Sequence, residues 1–529
     1  MSLQVDPICV VIGRTRHSMM QAELQEAAKL GAKLIELRLD YLKRAPDLSR
    51  LLADKPCPLI ATVRRPPDGG KWTDSEDKRK MVLRQAIVGG FDWVDLETDI
   101  ADSIPRFGPV RRIVSYHNFR EFPKDLEKIH ERMCEQDADV LKIVVRAQSP
   151  TDNKRILALI PGAKKPTIAY CMGDLGFPSR ILQAKYGAPF TYAAFNPERN
   201  IAPGMPSFLE LKRVYRYHTL NSQTRFFGVI GDPVAHSLSP LIYNAAFAAM
   251  HLNAAYVPCR VPSETLPAFL EAMNSVPFEG YSVTLPHKEA VTRLASYREE
   301  AVERCKAANT LVRREGGSFA AFNTDYSGIL ATFQDLLPTF KPPVPEPAMP
   351  GSSPHLQPVP IPPQPGQIAG RVVLILGAGG VARAAAHAFS QAGAVVVISN
   401  RTPERAKQLA EEVNARQVDW NARHSVVCDT VINCTSVGMH PNVDESPLHH
   451  SFFKPGLIVF DTVYTPESTL LIKEAREREC NVITGVELFI RQAAAQFHHF
   501  FGQAPPADLF RRVVRRALSP VALRDEDEI

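Results

Sequence analysis

Eight short runs rich in β-branched residues recur through the first 200 residues, at Ile8–Ile12, Lys33–Arg38, Leu59–Arg64, Trp93–Glu97, Arg112–His117, Val140–Val145, Thr167–Met172 and Thr191–Ala194. Segments of helical period lie between them, among them Met19–Leu30, Ser75–Val88, Leu126–Glu135 and Asn153–Ile160. Strict strand–helix alternation at this count predicts an α/β fold that opens with a (β/α)8 barrel.

The chain has 529 residues, too many for a single hydrophobic core, so further domains must follow. Its 45% apolar and 22% charged residues give each of them the means to bury one. A net charge of +5 is small for this size, and no Lys/Arg block interleaved with aromatics stands out, which argues against nucleic acid as a partner. Nine cysteines lie scattered without a C-x-x-C pair or zinc spacing, so they read as reduced thiols and no metal is expected. No leader pattern precedes Pro7–Ile12 and no apolar run is long enough to cross a membrane, so the expectation is a cytoplasmic enzyme with no membrane partner. Nothing in the pattern sets an oligomeric state.

In a barrel, reactive groups collect at the C-terminal ends of the strands. Polar residues inside the apolar runs sit near those ends: Glu36, Arg38, Arg64, Glu97, His117 and Lys142. Taken singly, a Glu or His in such a place is more often a satisfied structural group. Alternation puts Val140, Lys142 and Val144 on one face, pointing into the barrel. Desolvation lowers a lysine's pKa and makes its amine a nucleophile towards a carbonyl. With Glu36-Leu-Arg38-Leu-Asp40, Thr62-Val-Arg64, Gly69-Gly70, Asp95-Leu-Glu97, Ser115-Tyr-His117-Asn118-Phe119, Asp139-Val-Leu-Lys142, Met172-Gly173, Ser179-Arg180 and Ala202-Pro-Gly204, residues 6–218 resemble type I 3-dehydroquinate dehydratase. The resemblance implies a Schiff base on Lys142, His117 as acid and base, Arg180 on the substrate carboxylate, and Glu36, Arg38 and Arg64 on ring hydroxyls and charge. Two departures bear on substrate contacts. Ile201 and Met205 stand where the family usually has serine and glutamine, and Asp68 stands where it has glutamate.

A second signal lies downstream. The strand-like run ending at Leu376 passes into Gly377-Ala378-Gly379-Gly380-Val381, and the next apolar run ends in Asn400-Arg401-Thr402-Pro-Glu-Arg405. In a dinucleotide-binding βαβ unit a carboxylate at that second ending accepts the ribose 2′-hydroxyl, whereas guanidinium groups accommodate a 2′-phosphate. Arg401 and Arg405 without an acid predict NADP(H). Upstream, Ser237-Leu-Ser239-Pro240 reads as a helix start, with Ser239 the cap, Pro240 the first helical residue and both hydroxyls facing an anion; a plain cap explains Ser239 but not Ser237. Together with Thr284-Leu-Pro286-His-Lys288, Asn309-Thr310, Asn323-Thr324-Asp325, Asp461-Thr-Val-Tyr464 and Gly485-Val-Glu-Leu488 leading to Gln492, residues 227–518 resemble shikimate dehydrogenase. That implies carboxylate binding by Ser237 and Ser239, a catalytic pair in Lys288 and Asp325, and ring-hydroxyl binding by Thr284, Asn309 and Gln492. Tyr464 is expected to line the cleft and Gly485 the nicotinamide end. Ser282 replaces the family's usual asparagine.

The two families joined in this order imply consecutive reactions, 3-dehydroquinate to 3-dehydroshikimate and then to shikimate. The expected domains are a barrel over 1–219, a substrate-binding domain over 226–336, a proline-rich extended insert over 337–368, an NADP-binding Rossmann domain over 369–485, and helices over 486–520 that return to the substrate domain. One rival is a catabolic quinate/shikimate dehydrogenase favouring NAD, which Arg401 and Arg405 oppose. Another is a metabolite-sensing regulator with an inactive barrel, suggested by Ile201 and Met205 and opposed by the intact His117, Lys142, Lys288 and Asp325.

Overall fold

The computed structural model describes residues 4–196, 201–276, 278–340 and 367–519. By internal contacts the chain falls into two units, Met1–Glu279 and Gly280–Ile529. The first opens with β1 (Ile8–Ile12), β2 (Ile35–Arg38), β3 (Leu59–Thr62), β4 (Trp93–Glu97), β5 (Arg111–Asn118), β6 (Val140–Arg146), β7 (Thr167–Met172) and β8 (Thr191–Ala194). Each of the eight predicted runs is a strand, and they pair in the order β7-β6-β5-β4-β3-β2-β1-β8, parallel throughout.

Two features depart from the strict alternation. The ordering ends at β7 and β8 without a ladder between them. A side chain bridges that seam: the Arg180 guanidinium lies 4.1 Å from the ring centroid of Tyr170 in β7, and its Nη1 donates to the Tyr192 carbonyl of β8 at 3.2 Å. Between β4 and β5 the connection holds only the 3-10 turn Ala101–Ser103 instead of a crossover helix. Pro105, Gly108 and Pro109 crowd that segment, and proline lacks the amide a helix would need there.

Inward positions sort into layers. Leu34, Ile60, Trp93, Ile113, Val140, Ile168 and Phe190 form an apolar floor in one buried cluster. Two residues further along the strands come Glu36, Asp95, Ser115, Lys142, Tyr170 and Tyr192, all buried, and beyond Ser115 in the same segment lie the partly buried His117 and Phe119. The period of two thus turns a hydrophobic plug into a polar ceiling at the C-terminal face. A cavity of about 750 Å³ lies at the opposite end, lined by Lys33, Pro58, Trp93 and Arg111 among others, away from these polar groups.

After the barrel, β9 (Arg225–Gly231) and β10 (Ala254–Arg260) pair in parallel, with the helix Ser239–Ala249 between them in sequence. Strand β11 (Phe278–Val283) crosses the unit boundary. In the second unit it runs antiparallel to β13 (Thr310–Arg313), which pairs with β14 (Phe319–Phe322), and β12 (Tyr297–Arg298) lies parallel to β14. A second sheet follows from β15 (Val372–Leu376), β16 (Val395–Ser399), β17 (Arg416–Val418), β18 (Thr430–Asn433), β19 (Ile458–Asp461) and β20 (Asn481–Ile483). Its order β17-β16-β15-β18-β19-β20 is the doubly wound Rossmann arrangement, whose topological switch falls between β15 and β18. Helices Gly485–Phe501 and Leu509–Leu518 close the described chain, and no described helix is long and apolar enough to cross a membrane. Most of the proline-rich insert and the acidic end of the chain lie outside the described residues.

Candidate active sites

Lys142 is 2% exposed, as its place between Val140 and Val144 predicts. Its surroundings are not purely apolar, however. Nζ lies 3.1 Å from Asp95 Oδ2, 3.9 Å from Glu36 Oε2 and 3.7 Å from the centroid of the Tyr192 ring. Asp95 in turn meets Arg64 Nη2 at 2.7 Å and accepts from Ser115 Oγ at 2.5 Å. Burial opposes ionisation of Asp95, but Arg64 and Lys142 outweigh it and hold the carboxylate well below its usual range. Such a group is a poor base; it orients the amine.

His117 stands on β5 beside β6, where Ser115 is the register partner of Lys142. His117 and Lys142 line one cavity together with Glu36, Arg38, Arg64, Tyr170, Met172 and Tyr192. Arg64 Nη1 lies 3.2 Å from His117 Nε2. A guanidinium can only donate, so Nε2 accepts and the ring proton sits on Nδ1, which is buried without a partner. Burial first, then the positive Arg64 and Lys142, push the imidazole well below its ordinary pKa and keep it neutral. The cavity among these groups is about 30 Å³, room for a water but not for a six-membered ring, so a substrate must displace part of the wall.

The other barrel residues divide. Arg38 is locked in a two-point pair with Asp40, at 2.9 and 2.8 Å, and donates to the Gly69 carbonyl at 3.2 Å. Glu36 keeps one buried oxygen, Oε1, without a partner, and Arg180 keeps Nε and Nη2 without one. Ile201 and Met205 line the cavity and pack against the barrel's apolar cluster. Asp68 pairs with Arg65 at 2.9 Å. Glu97 is claimed by Arg79, a fully buried arginine, at 2.5 Å.

In the second unit Lys288 Nζ lies 2.6 Å from Asp325 Oδ2, with the two side chains 12% and 6% exposed. Asn309 Nδ2 donates to Thr324 Oγ1 at 2.8 Å and to Gln492 Oε1 at 3.2 Å. Buried Gln496 accepts from Ser282 Oγ at 2.7 Å and donates to the Asn309 carbonyl at 2.8 Å, so the serine that departs from the family has a partner of its own. Thr284 is half-buried just before Lys288. Tyr464 stacks on Phe489 at 4.5 Å, and the glycine at 485 is required by the Val463 carbonyl, 2.3 Å from where a Cβ would sit. In the first unit the serine motif needs correction. Leu238 already has helical φ and ψ and takes the cap position, Ser239 is the first helical residue, and it is Ser237 Oγ that accepts the Ser239 amide, at 3.3 Å.

The dinucleotide turn lies at the end of β15. Gly377 has φ +115°, a left-handed conformation that only glycine adopts readily, and Ala378 and Gly380 are buried. Gly379 and Val381 are partly exposed, and a Cβ on Gly379 would meet nothing within 4 Å. Asn400 Nδ2 donates to the Thr402 carbonyl at 3.0 Å, shaping the turn that presents Arg401 and Arg405 on the surface. Arg405 pairs with Glu289 at 2.5 Å, whereas Arg401 is exposed.

Four family models match in order: type I 3-dehydroquinase over residues 8–222, shikimate dehydrogenase substrate binding domain over 229–311, shikimate/quinate 5-dehydrogenase over 364–454, and shikimate 5′-dehydrogenase C-terminal domain over 485–515. The bifunctional 3-dehydroquinate dehydratase/shikimate dehydrogenase of Arabidopsis thaliana, chloroplastic by name, is 34% identical over 524 residues, which cover 96% of this chain and 84% of the plant protein. This chain belongs to that bifunctional family. The NADP(+) shikimate dehydrogenase of Moorella thermoacetica is 36% identical and covers 56% of this chain and 95% of its own length. A crystal structure of the Thermus thermophilus shikimate 5-dehydrogenase with NADP(H) and shikimate matches at 31% identity, over 56% of this chain and all of that one, with a TM-score of 0.46.

Within this bifunctional dehydratase/dehydrogenase, the barrel gathers His117, Lys142, Glu36, Arg38 and Arg64 around one cavity, while Lys288, Asp325, Asn309 and Gln492 are linked in the second unit. Sequence reasoning gave no role to Asp95, although the alternation that marks Glu97 as inward marks Asp95 as well. Gln496 was missed too; its signal was the four-residue spacing from Gln492 on one helix face.

Proposed function

We propose that the dehydration proceeds on Lys142, with His117 as the group that carries protons. The observation that supports this most is a buried amine oriented by Asp95 in the same small cavity as a neutral imidazole. Nζ adds to the C3 carbonyl of 3-dehydroquinate and water leaves, giving an iminium. The iminium draws electrons from the C2–H bond, His117 takes that proton, and the C1 hydroxyl departs with a proton returned by His117. Water then releases 3-dehydroshikimate and restores the amine. The unpaired N–H groups of Arg180 suit a carboxylate, and the free Glu36 oxygen a hydroxyl.

For the reductase, Lys288 and Asp325 handle the proton at the substrate oxygen, and Asn309, Thr284 and Gln492 hold ring hydroxyls. Ser237 and Ser239 offer hydroxyls to a carboxylate at a helix start. NADP(H) fits the turn at the sheet's switch point, where Gly379 leaves open space and exposed arginines follow β16. When bound, the nicotinamide supplies the hydride. The backbone amides of the turn from Gly377 through Val381 would hold the pyrophosphate, Asn400 through Thr402 with Arg405 the 2′-phosphate, and Tyr464 and Gly485 the nicotinamide side. The proposed domains are the barrel over 1–219, the substrate-binding domain over 226–336, the nucleotide-binding domain over 369–485 and the closing helices over 486–520. All nine cysteines are free, which supports a reducing compartment such as the cytosol.

A coupled assay tests the whole reading: 3-dehydroquinate added with NADPH should consume NADPH mole for mole. Consumption with 3-dehydroshikimate but none with 3-dehydroquinate would favour the inactive-barrel reading. Replacing Arg401 by Ala should raise KM for NADPH about tenfold and leave KM for NADH unchanged, as loss of one charge-assisted contact demands; equal effects on both coenzymes would remove Arg401 from the 2′-phosphate site. The acid limb of kcat/KM for dehydration offers a further check. The free base is the active form of His117 and its pKa is depressed, so activity should persist as pH falls through 6.5 and decline only below it. A decline centred at or above 6.5 would contradict the assignment.

A further inference from the structure

The glycines of the dinucleotide turn are not equivalent. At Gly377 a Cβ would stand 2.9 Å from the Cys434 carbonyl oxygen, on a backbone with φ +115°. At Gly379 it would meet open space. At Gly380, the first residue of the helix Gly380–Gln391, it would stand 2.8 Å from Cβ and 3.0 Å from Cδ of Lys288. Carbon atoms in contact rest at roughly 3.5–4.0 Å. The backbone of Gly380 lies outside the left-handed region, so its conformation does not call for glycine. The neighbouring lysine does.

Lys288 has little room to yield. Its carbonyl accepts the Ala308 amide at 2.8 Å, which fixes the root of the side chain, and its Nζ is held at Asp325. The same helix is tied to this segment a second time: Arg383 Nε donates to the Cys305 carbonyl at 2.5 Å, four residues before Asn309. Arg383 is 6% exposed and also pairs with Glu412.

We propose that Gly380 is a positioning residue for the reductase reaction: its missing side chain lets the stem of Lys288 lie against the coenzyme turn and so sets the Lys288 amine at Asp325. The proposal rests on the reading of Lys288 and Asp325 as the proton-handling pair. It separates two roles that a glycine-rich turn usually merges, with Gly379 open towards the coenzyme and Gly380 turned towards the catalytic lysine. A methyl group at 380 must displace the lysine stem, and misplacement of a reacting group by about 1 Å costs on the order of 100-fold in rate.

The test compares Gly380→Ala, Gly379→Ala and Lys288→Met in the full chain. NADPH affinity is measured by fluorescence titration without substrate, and kcat, KM and the pH dependence of kcat with 3-dehydroshikimate at saturating NADPH. Gly380→Ala should bind NADPH within about threefold of the parent while kcat falls about 30-fold, with a displaced pH profile. Gly379→Ala should instead weaken NADPH binding. A normal kcat in Gly380→Ala, or a deficit that disappears at saturating NADPH, overturns the proposal. If Gly380→Ala does not fold, the pair Gly380→Ala/Lys288→Gly removes the clash: recovery of folded protein supports the contact, and failure to recover overturns it. Retained turnover in Lys288→Met would bring down the assignment of the lysine itself, whereas an inactive Lys288→Met beside an unimpaired Gly380→Ala sinks this inference alone.

Discussion

Replacing Lys142 by Ala should lower dehydration of 3-dehydroquinate by roughly 10⁴-fold or more, about 5.5 kcal/mol of barrier, while reduction of 3-dehydroshikimate stays within about twofold of the parent. Among the described residues that line the cavity, Lys142 alone carries an amine able to form the iminium that acidifies C2–H, so none of these neighbours can substitute for it. The fold should survive the change. Removing one partner of a buried ion pair is costly when it strands the other charge, but Asp95 keeps Arg64 at 2.7 Å and the Ser115 hydroxyl at 2.5 Å. Two assays on one preparation, dehydration followed by absorbance of the enone and reduction followed by NADPH, check this directly. Loss of both activities in a folded protein would contradict the separation of the two chemistries.

Asp325→Asn should have the mirror effect, cutting reduction of 3-dehydroshikimate by about 10³-fold with dehydration unaffected. Asparagine has the size of aspartate and can still accept from Lys288 Nζ, now 2.6 Å from the carboxylate, but it can neither hold a negative charge nor exchange a proton. The helix that carries residue 325 should remain, because its start is capped by Asn323, whose side chain accepts the Tyr326 amide at 3.2 Å. The discriminating readout is kcat at saturating 3-dehydroshikimate and NADPH. A variant that lost only affinity, with kcat intact, would make Asp325 a binding group instead of half of a proton-handling pair.

Local pattern carried much of this architecture. The eight strands were legible because β-branched residues recur at strand length, and the burial of Lys142 because the period of two leaves it no other face. The connection between β4 and β5 holds a single turn where strict alternation would have a helix, because Pro105, Gly108 and Pro109 disfavour one there. The cap at Ser239 slipped by one residue because leucine is a poor cap by preference, yet Leu238 took the position through backbone geometry alone. What sequence could not show were partners far apart in the chain. Asp95 lies 47 residues from the lysine it orients, and Gln496 lies 214 residues from the serine it satisfies. Nor can a glycine motif announce which of its members faces a ligand and which a lysine; only the packing of Gly380 on Lys288 does so.

Borohydride reduction in the presence of 3-dehydroquinate, followed by peptide mass spectrometry, bears most directly on the covalent step. A single adduct of the hydroxylated six-carbon-ring carboxylate on Lys142, absent when borohydride or substrate is omitted, is the expected result. Reductive trapping that leaves Lys142 unmodified while dehydration proceeds at full rate would contradict the Schiff base.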